Sequence, residues 1–109
     1  MIYKVSYPSI HTKIAVRRMT KLPHIAIIPA FEPTAVLEQI VWQLCKCEPT
    51  IRIVVIDDGS ISKTALEVFI SLERYEKVKI LRHGENLGKG AALKTGFQYL
   101  VDQELNTGT

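Results

Sequence analysis

With 109 residues, 47% of them apolar and 23% charged, the chain has the length of one small domain and the composition of a globular protein, neither disordered nor fibrous. No run approaches the ~18 consecutive apolar residues needed to span a bilayer. A net charge of +3, with no basic stripe interleaved with aromatics, speaks against nucleic-acid binding.

The charge is unevenly placed. Residues 1–31 carry Lys4, Lys13, Arg17, Arg18 and Lys21 and no acid, whereas the remainder holds nine basic and eleven acidic side chains. Residues 1–22 are therefore expected to form a basic, loosely ordered extension. An acid-free, arginine-bearing leader also suits a transit peptide or an arm drawn to anionic lipid. Residues 23–109 make up the domain.

The first expected strand is 24–29 (HIAIIP), an almost continuous apolar run of the kind that is covered on both faces in a parallel sheet. It leads into Pro29-Ala30-Phe31-Glu32-Pro33. Two prolines around an aromatic give a stiff, extended turn that either holds the Phe31 ring against a planar ligand or sends it into the core. Val36, Leu37, Ile40, Val41 and Leu44 then recur along one face of a helix, with Pro33 in its first turn. At the end of that helix stand Cys45 and Cys47. With no histidine nearby to complete a metal set, they read as two reduced thiols of a cytosolic protein.

A second strand is expected at 51–56 (IRIVVI), followed by Asp57-Asp58-Gly59-Ser60. Two adjacent carboxylates at a strand end repel each other unless donors or a cation satisfy them. Such a carboxylate accepts an imide N–H, although an Asp-Gly turn that merely caps a helix has the same letters. Gly59 permits a sharp turn, and Ser60 and Ser62 are placed to bond the backbone of the next helix. That helix starts at Ser62 as N-cap and is expected to turn Leu66, Phe69 and Ile70 inward.

The third strand, 78–82 (VKILR), precedes Gly84-Glu85-Asn86-Leu87-Gly88-Lys89-Gly90-Ala91-Ala92, a glycine-bearing loop that opens a helix. Backbone N–H groups, the positive end of the helix dipole and Lys89 favour an anion there, while a helix start that needs glycine only for its backbone is the plainer reading. The loop matches neither the P-loop nor the dinucleotide fingerprint. The helix is expected from about Gly90 to Val101, with Leu93, Gly96, Phe97, Leu100 and Val101 on one side and Gly96 marking close packing on the sheet. His11, His24 and His83 are scattered and receive no catalytic role.

Strand and helix alternating three times predict an α/β domain, a parallel sheet of three strands flanked by helices. Ligands of such sheets bind beyond the carboxyl ends of the strands, where all three unusual loops lie.

The order and spacing of IIPAFEP, VVIDDGS and ENLGKGAALKTGF over roughly residues 24–101 resemble the N-terminal half of family-two glycosyltransferases with the Rossmann-like GT-A fold. The resemblance implies an inverting enzyme of the hexosyltransferase type, acting in cell-surface polysaccharide or glycolipid synthesis. It implies that Pro29, Ala30, Phe31, Glu32, Asp57, Asp58, Gly59, Ser60, Asn86, Gly88 and Lys89 bind a UDP- or GDP-linked sugar. Within that set Pro29 and Phe31 line the base, Asp58 receives the uracil or guanine edge, and Asp57 with Ser60 shapes the turn. The first motif departs from the family's Pro-x-Tyr-Asn-Glu, because Phe31 lacks the phenol hydroxyl, Glu32 takes the Asn place and Pro33 the Glu place.

The family's Asp-x-Asp, which binds magnesium or manganese, and its later catalytic carboxylate have no counterpart in this sequence. The expectation is a half-domain ending before the Asp-x-Asp strand, with no catalytic or metal-ligating residue of its own. Without the metal the leaving diphosphate's charge is not neutralised, an effect worth several kcal/mol, so these residues alone are expected to transfer no sugar. A non-catalytic nucleotide-binding or assembly module is the alternative. A nucleotidyltransferase is disfavoured because Pro29 to Pro33 has neither glycine nor a basic residue. The expected location is cytoplasmic, at or near the membrane face, and an uncovered sheet edge predicts self-association.

Overall fold

Three β-branched runs build the centre of one sheet in the computed structural model, which describes residues 3–5 and 24–107. In chain order the elements are β1 (Tyr3–Val5), β2 (Ile25–Ala30), α1 (Val36–Cys47), β3 (Arg52–Asp57), α2 (Lys63–Leu72), β4 (Val78–Arg82) and α3 (Lys89–Thr107). The sheet order is β1-β2-β3-β4, with β2, β3 and β4 parallel. This is the expected partial Rossmann-like arrangement of three parallel strands flanked by three helices. A fourth strand adds to it: Tyr3–Val5 pairs antiparallel with β2. The rest of the basic leader, residues 1–2 and 6–22, lies outside the described residues, and so do His11 and the arginine pair.

Alternation along the strands divides the core in two. Ala26, Ile28, Ile53 and Val55 face α1 and α2, where they meet Leu37, Val41, Ala65, Val68, Phe69 and Leu72. Ile27, Val54 and Ile56 point the other way, onto Ala92 of α3. β3 is sandwiched by helices on both faces and by strands on both edges, which explains why Ile53 to Ile56 are all buried and tolerate no charge.

The helix faces match expectation in part: Leu37, Val41 and Leu44 on α1, Phe69 on α2, and Leu93 and Leu100 on α3 pack on the core, while other expected positions do not. On α2 the buried side is Ala65, Val68, Phe69 and Leu72, while Leu66 and Ile70 are exposed. On α3 Phe97 and Val101 are exposed, and on α1 Val36 is too. Pro33 lies before α1 rather than in its first turn. The cause on α3 is visible at Gly96, where an added Cβ would come within 2.9 Å of Ile27 Cγ2 and 3.1 Å of Ile56 Cδ1. The helix seats two small residues, Ala92 and Gly96, against the sheet, and this turns the larger Phe97 away. Ser62 caps α2 as expected, its side chain accepting the Ala65 N–H at 3.0 Å. Among the described residues no helix is long and apolar enough to cross a membrane.

Gly96→Val is expected to destabilise the chain by about 1–3 kcal/mol through overpacking against Ile27 and Ile56. A urea midpoint equal to that of the unaltered chain would mean that α3 does not sit this close to the sheet.

Candidate functional site

Register brings the three loops to one level. Ala30 pairs with Asp57 across β2 and β3, and Asp57 with Arg82 across β3 and β4, so all three strands end together. The ladder runs one step further on each side, as the Asp58 N–H donates to the Ala30 carbonyl (2.8 Å) and the His83 N–H to the Asp57 carbonyl (2.9 Å).

Both carboxylates expected at the strand end are buried, and each finds its own partners. Asp57 Oδ1 accepts the Ser60 N–H at 2.9 Å, which closes the turn, and Oδ2 lies 3.6 Å from Arg82 Nε. Asp58 binds the third loop: Oδ1 accepts the Leu87 N–H (2.9 Å) and meets His83 Nδ1 (2.8 Å), and Oδ2 accepts the Gly88 N–H (2.9 Å). Burial pushes the Asp58 carboxyl up, yet the donors at Leu87, His83 and Gly88 together outweigh it and hold the group below its ordinary value of 3.8. His83 also reaches Thr95 Oγ1 on α3 through Nε2, at 2.8 Å. Asp58, which is ionised, can only accept, so Nδ1 carries the proton.

Glu32 joins the first loop to the second. It holds φ 49, uncommon outside glycine. Its N–H donates to Ser60 Oγ (2.8 Å), while its carboxylate accepts the Ile61 (2.9 Å) and Ser62 (3.3 Å) N–H groups at the start of α2. Those contacts, from Ile61 first and then Ser62, hold the Glu32 carboxyl below its usual range. Gly59, at φ +83, joins the second loop to the third. A Cβ there would lie 2.4 Å from both Asn86 N and Glu85 C.

Pro29, Ala30, Phe31, Asp58, Asn86, Gly88 and Lys89 line one open cavity of about 340 Å³ at the carboxyl end of the sheet. Phe31 is 54% exposed, which settles its position at the rim rather than in the core. Glu32, Asp57, Gly59 and Ser60 do not line the cavity; they tie the loops together around it. Ser60 receives Glu32 rather than bonding α2. His83 and Thr95 were not legible as site residues. The available signal was His83's place directly after β4, at the strand end that the other loops share.

Among the described residues no group of three or more His, Cys, Asp and Glu side chains is arranged to hold a metal ion. Asp57 and Asp58 are committed to the contacts above.

A family model described as Glycosyl transferase family 2 matches residues 25–103, more than two thirds of the chain. A dolichyl-phosphate beta-glucosyltransferase of Trichomonas vaginalis is 45% identical over 47 residues, which make up 43% of this chain and 14% of that protein. No solved structure matches significantly.

Gly59→Ala forces a Cβ into the Glu85–Asn86 backbone at a left-handed φ, and a loss of roughly 1–3 kcal/mol is expected in thermal or urea unfolding. Asp58 contributes stability that is full above its unfolded value of 3.8 and is lost as pH falls through the lower folded value. The stability gap between the unaltered chain and Asp58→Asn should therefore keep its full width from neutrality down to about 3.8 and narrow as pH falls further. A gap that stays constant down to acid would show that the carboxylate's charge is not what holds the loop.

Proposed function

Because this chain belongs to glycosyl transferase family 2, we propose that it is the donor-binding part of an inverting hexosyltransferase that takes a nucleotide-diphosphate sugar. The observation that carries the reading is the cavity itself, in which an exposed aromatic, a buried carboxylate and a glycine-bearing helix start face one space. In this reading the base stacks on Phe31 with Pro29 and Ala30 beneath it, the Asp58 carboxylate accepts a base N–H, and Asn86, Gly88 and Lys89 close over the nucleotide. The start of α3 adds the positive end of a helix dipole near the diphosphate. Glu32, Asp57, Gly59 and Ser60 act on the nucleotide only through the loops they hold.

The magnesium or manganese ion of the family finds no ligand set among the described residues. The 109 residues are proposed to bind donor without transferring sugar by themselves. The matched relative is a glucosyltransferase acting on dolichyl phosphate, which favours a glycolipid product and work at a membrane surface. Free thiols at Cys45 and Cys47 suit the cytoplasmic side. Self-association would use the sheet edges, β1 or β4.

Calorimetric titration of UDP, GDP and CDP into the chain tests the reading. At least one nucleotide should bind, and Phe31→Ala, which truncates an exposed ring and spares the core, should weaken it on the order of tenfold. No binding of any of the three, or unchanged affinity in Phe31→Ala, would count against it.

A further inference from the structure

The proposed donor leaves the base open between uracil and guanine, and the hydrogen bonds at Asp58 separate the two. An ionised carboxylate has about four acceptor positions. Among the described residues three are filled at Asp58: Oδ1 takes His83 Nδ1 and the Leu87 N–H, and Oδ2 takes the Gly88 N–H. One position remains, on Oδ2, in a residue that lines the cavity beside Phe31 and Asn86.

Uracil presents a single ring N–H at its pairing edge, between two carbonyls. Guanine presents two neighbouring donors, a ring N–H and an amino group, which pair best with both oxygens of one carboxylate. Cytosine turns a bare ring nitrogen toward the same place, where it would face lone pairs.

His83 is the side chain that closes Oδ1. Its ring is 8% exposed and held from both sides, by Asp58 at Nδ1 and by Thr95 Oγ1 at Nε2, each at 2.8 Å. Its own N–H donates to the Asp57 carbonyl. The ring therefore has no room to swing clear when a base enters.

Resting on the nucleotide reading above, we propose that His83 is a positioning residue that sets base choice: by occupying Oδ1 it leaves Asp58 one acceptor, matched to uridine diphosphate and one short for guanosine diphosphate. Lone-pair occupancy rather than cavity size makes the selection.

The test is calorimetric binding of UDP, GDP and CDP to the full 109-residue chain, unaltered and as His83→Leu and His83→Asn. UDP should bind about tenfold or more tighter than GDP, since a donor left unpaired at such a site costs on that order. His83→Leu should draw the UDP-to-GDP ratio toward one. His83→Asn, whose amide donates in place of Nδ1, should keep the ratio. A histidine that only supports the fold would weaken both nucleotides alike and leave the ratio unmoved. Equal affinities in the unaltered chain, or an unmoved ratio in His83→Leu, overturn the assignment while the nucleotide reading stands. Absence of any nucleotide binding overturns both. Should His83→Leu fail to fold, His83→Ala carries the same test, a ratio drawn toward one supporting the assignment and an unmoved ratio overturning it.

Discussion

One buried negative charge organises the site. Asp58 stands where the apolar interior of β3 ends, and taking its carboxylate out of water is costly unless donors replace the lost hydration. Three do so, two from the backbone of a loop some thirty residues downstream and one from a histidine ring. Charge-assisted bonds of this kind are stronger than neutral ones, so the third loop is held by the group that would otherwise be the domain's electrostatic liability. The same contacts set where Asn86, Gly88 and Lys89 stand relative to the end of β3.

A second set of ties makes that arrangement rigid. Glu32 spans from the first loop to the start of α2, holding an uncommon backbone conformation while its carboxylate accepts two N–H groups there. Gly59 lets the Asp-Gly turn lie directly on the Glu85–Asn86 backbone. Asp57, held by Ser60 and Arg82, settles the repulsion that two neighbouring carboxylates would otherwise feel. With Asp57, Glu32 and Gly59 all employed in holding loops, the cavity wall is left to Pro29, Ala30, Phe31, Asp58, Asn86, Gly88 and Lys89. A cavity walled by loops fastened to one another is preorganised, which lowers the entropy lost when a ligand enters.

Strand positions were legible because β-branched, unbroken apolar runs have few other uses in a small domain, and β2, β3 and β4 lie within a residue of the expected spans. The loops were legible because proline, paired aspartate and glycine each have narrow backbone or electrostatic reasons to stand at a strand end. Helix phase was legible only in part, since Leu37, Val41, Phe69 and Leu100 pack inward as expected and Leu66, Ile70, Phe97 and Val101 do not. Leu66 with Ile70 and Ala65 with Phe69 describe two stripes about 100° apart, and hydrophobicity alone favours the larger side chains. The sheet favours the smaller ones, because Ala65, Ala92 and Gly96 allow close approach. The antiparallel pairing of Tyr3–Val5 was equally hidden, since three residues carry no periodicity.

The α/β order, the three loops and their convergence at one end of the sheet follow from the residues alone, since right-handed parallel crossovers admit little else. Which side chain does which task there emerges from the folded packing. That Asp58 is spent on loop amides, that Glu32 fastens a helix start, and that His83 bonds Asp58 and Thr95 depend on hydrogen bonds between residues 12 to 30 positions apart. Such pairings follow from strand register and from the direction in which each side chain leaves the backbone, and neither is encoded in local composition.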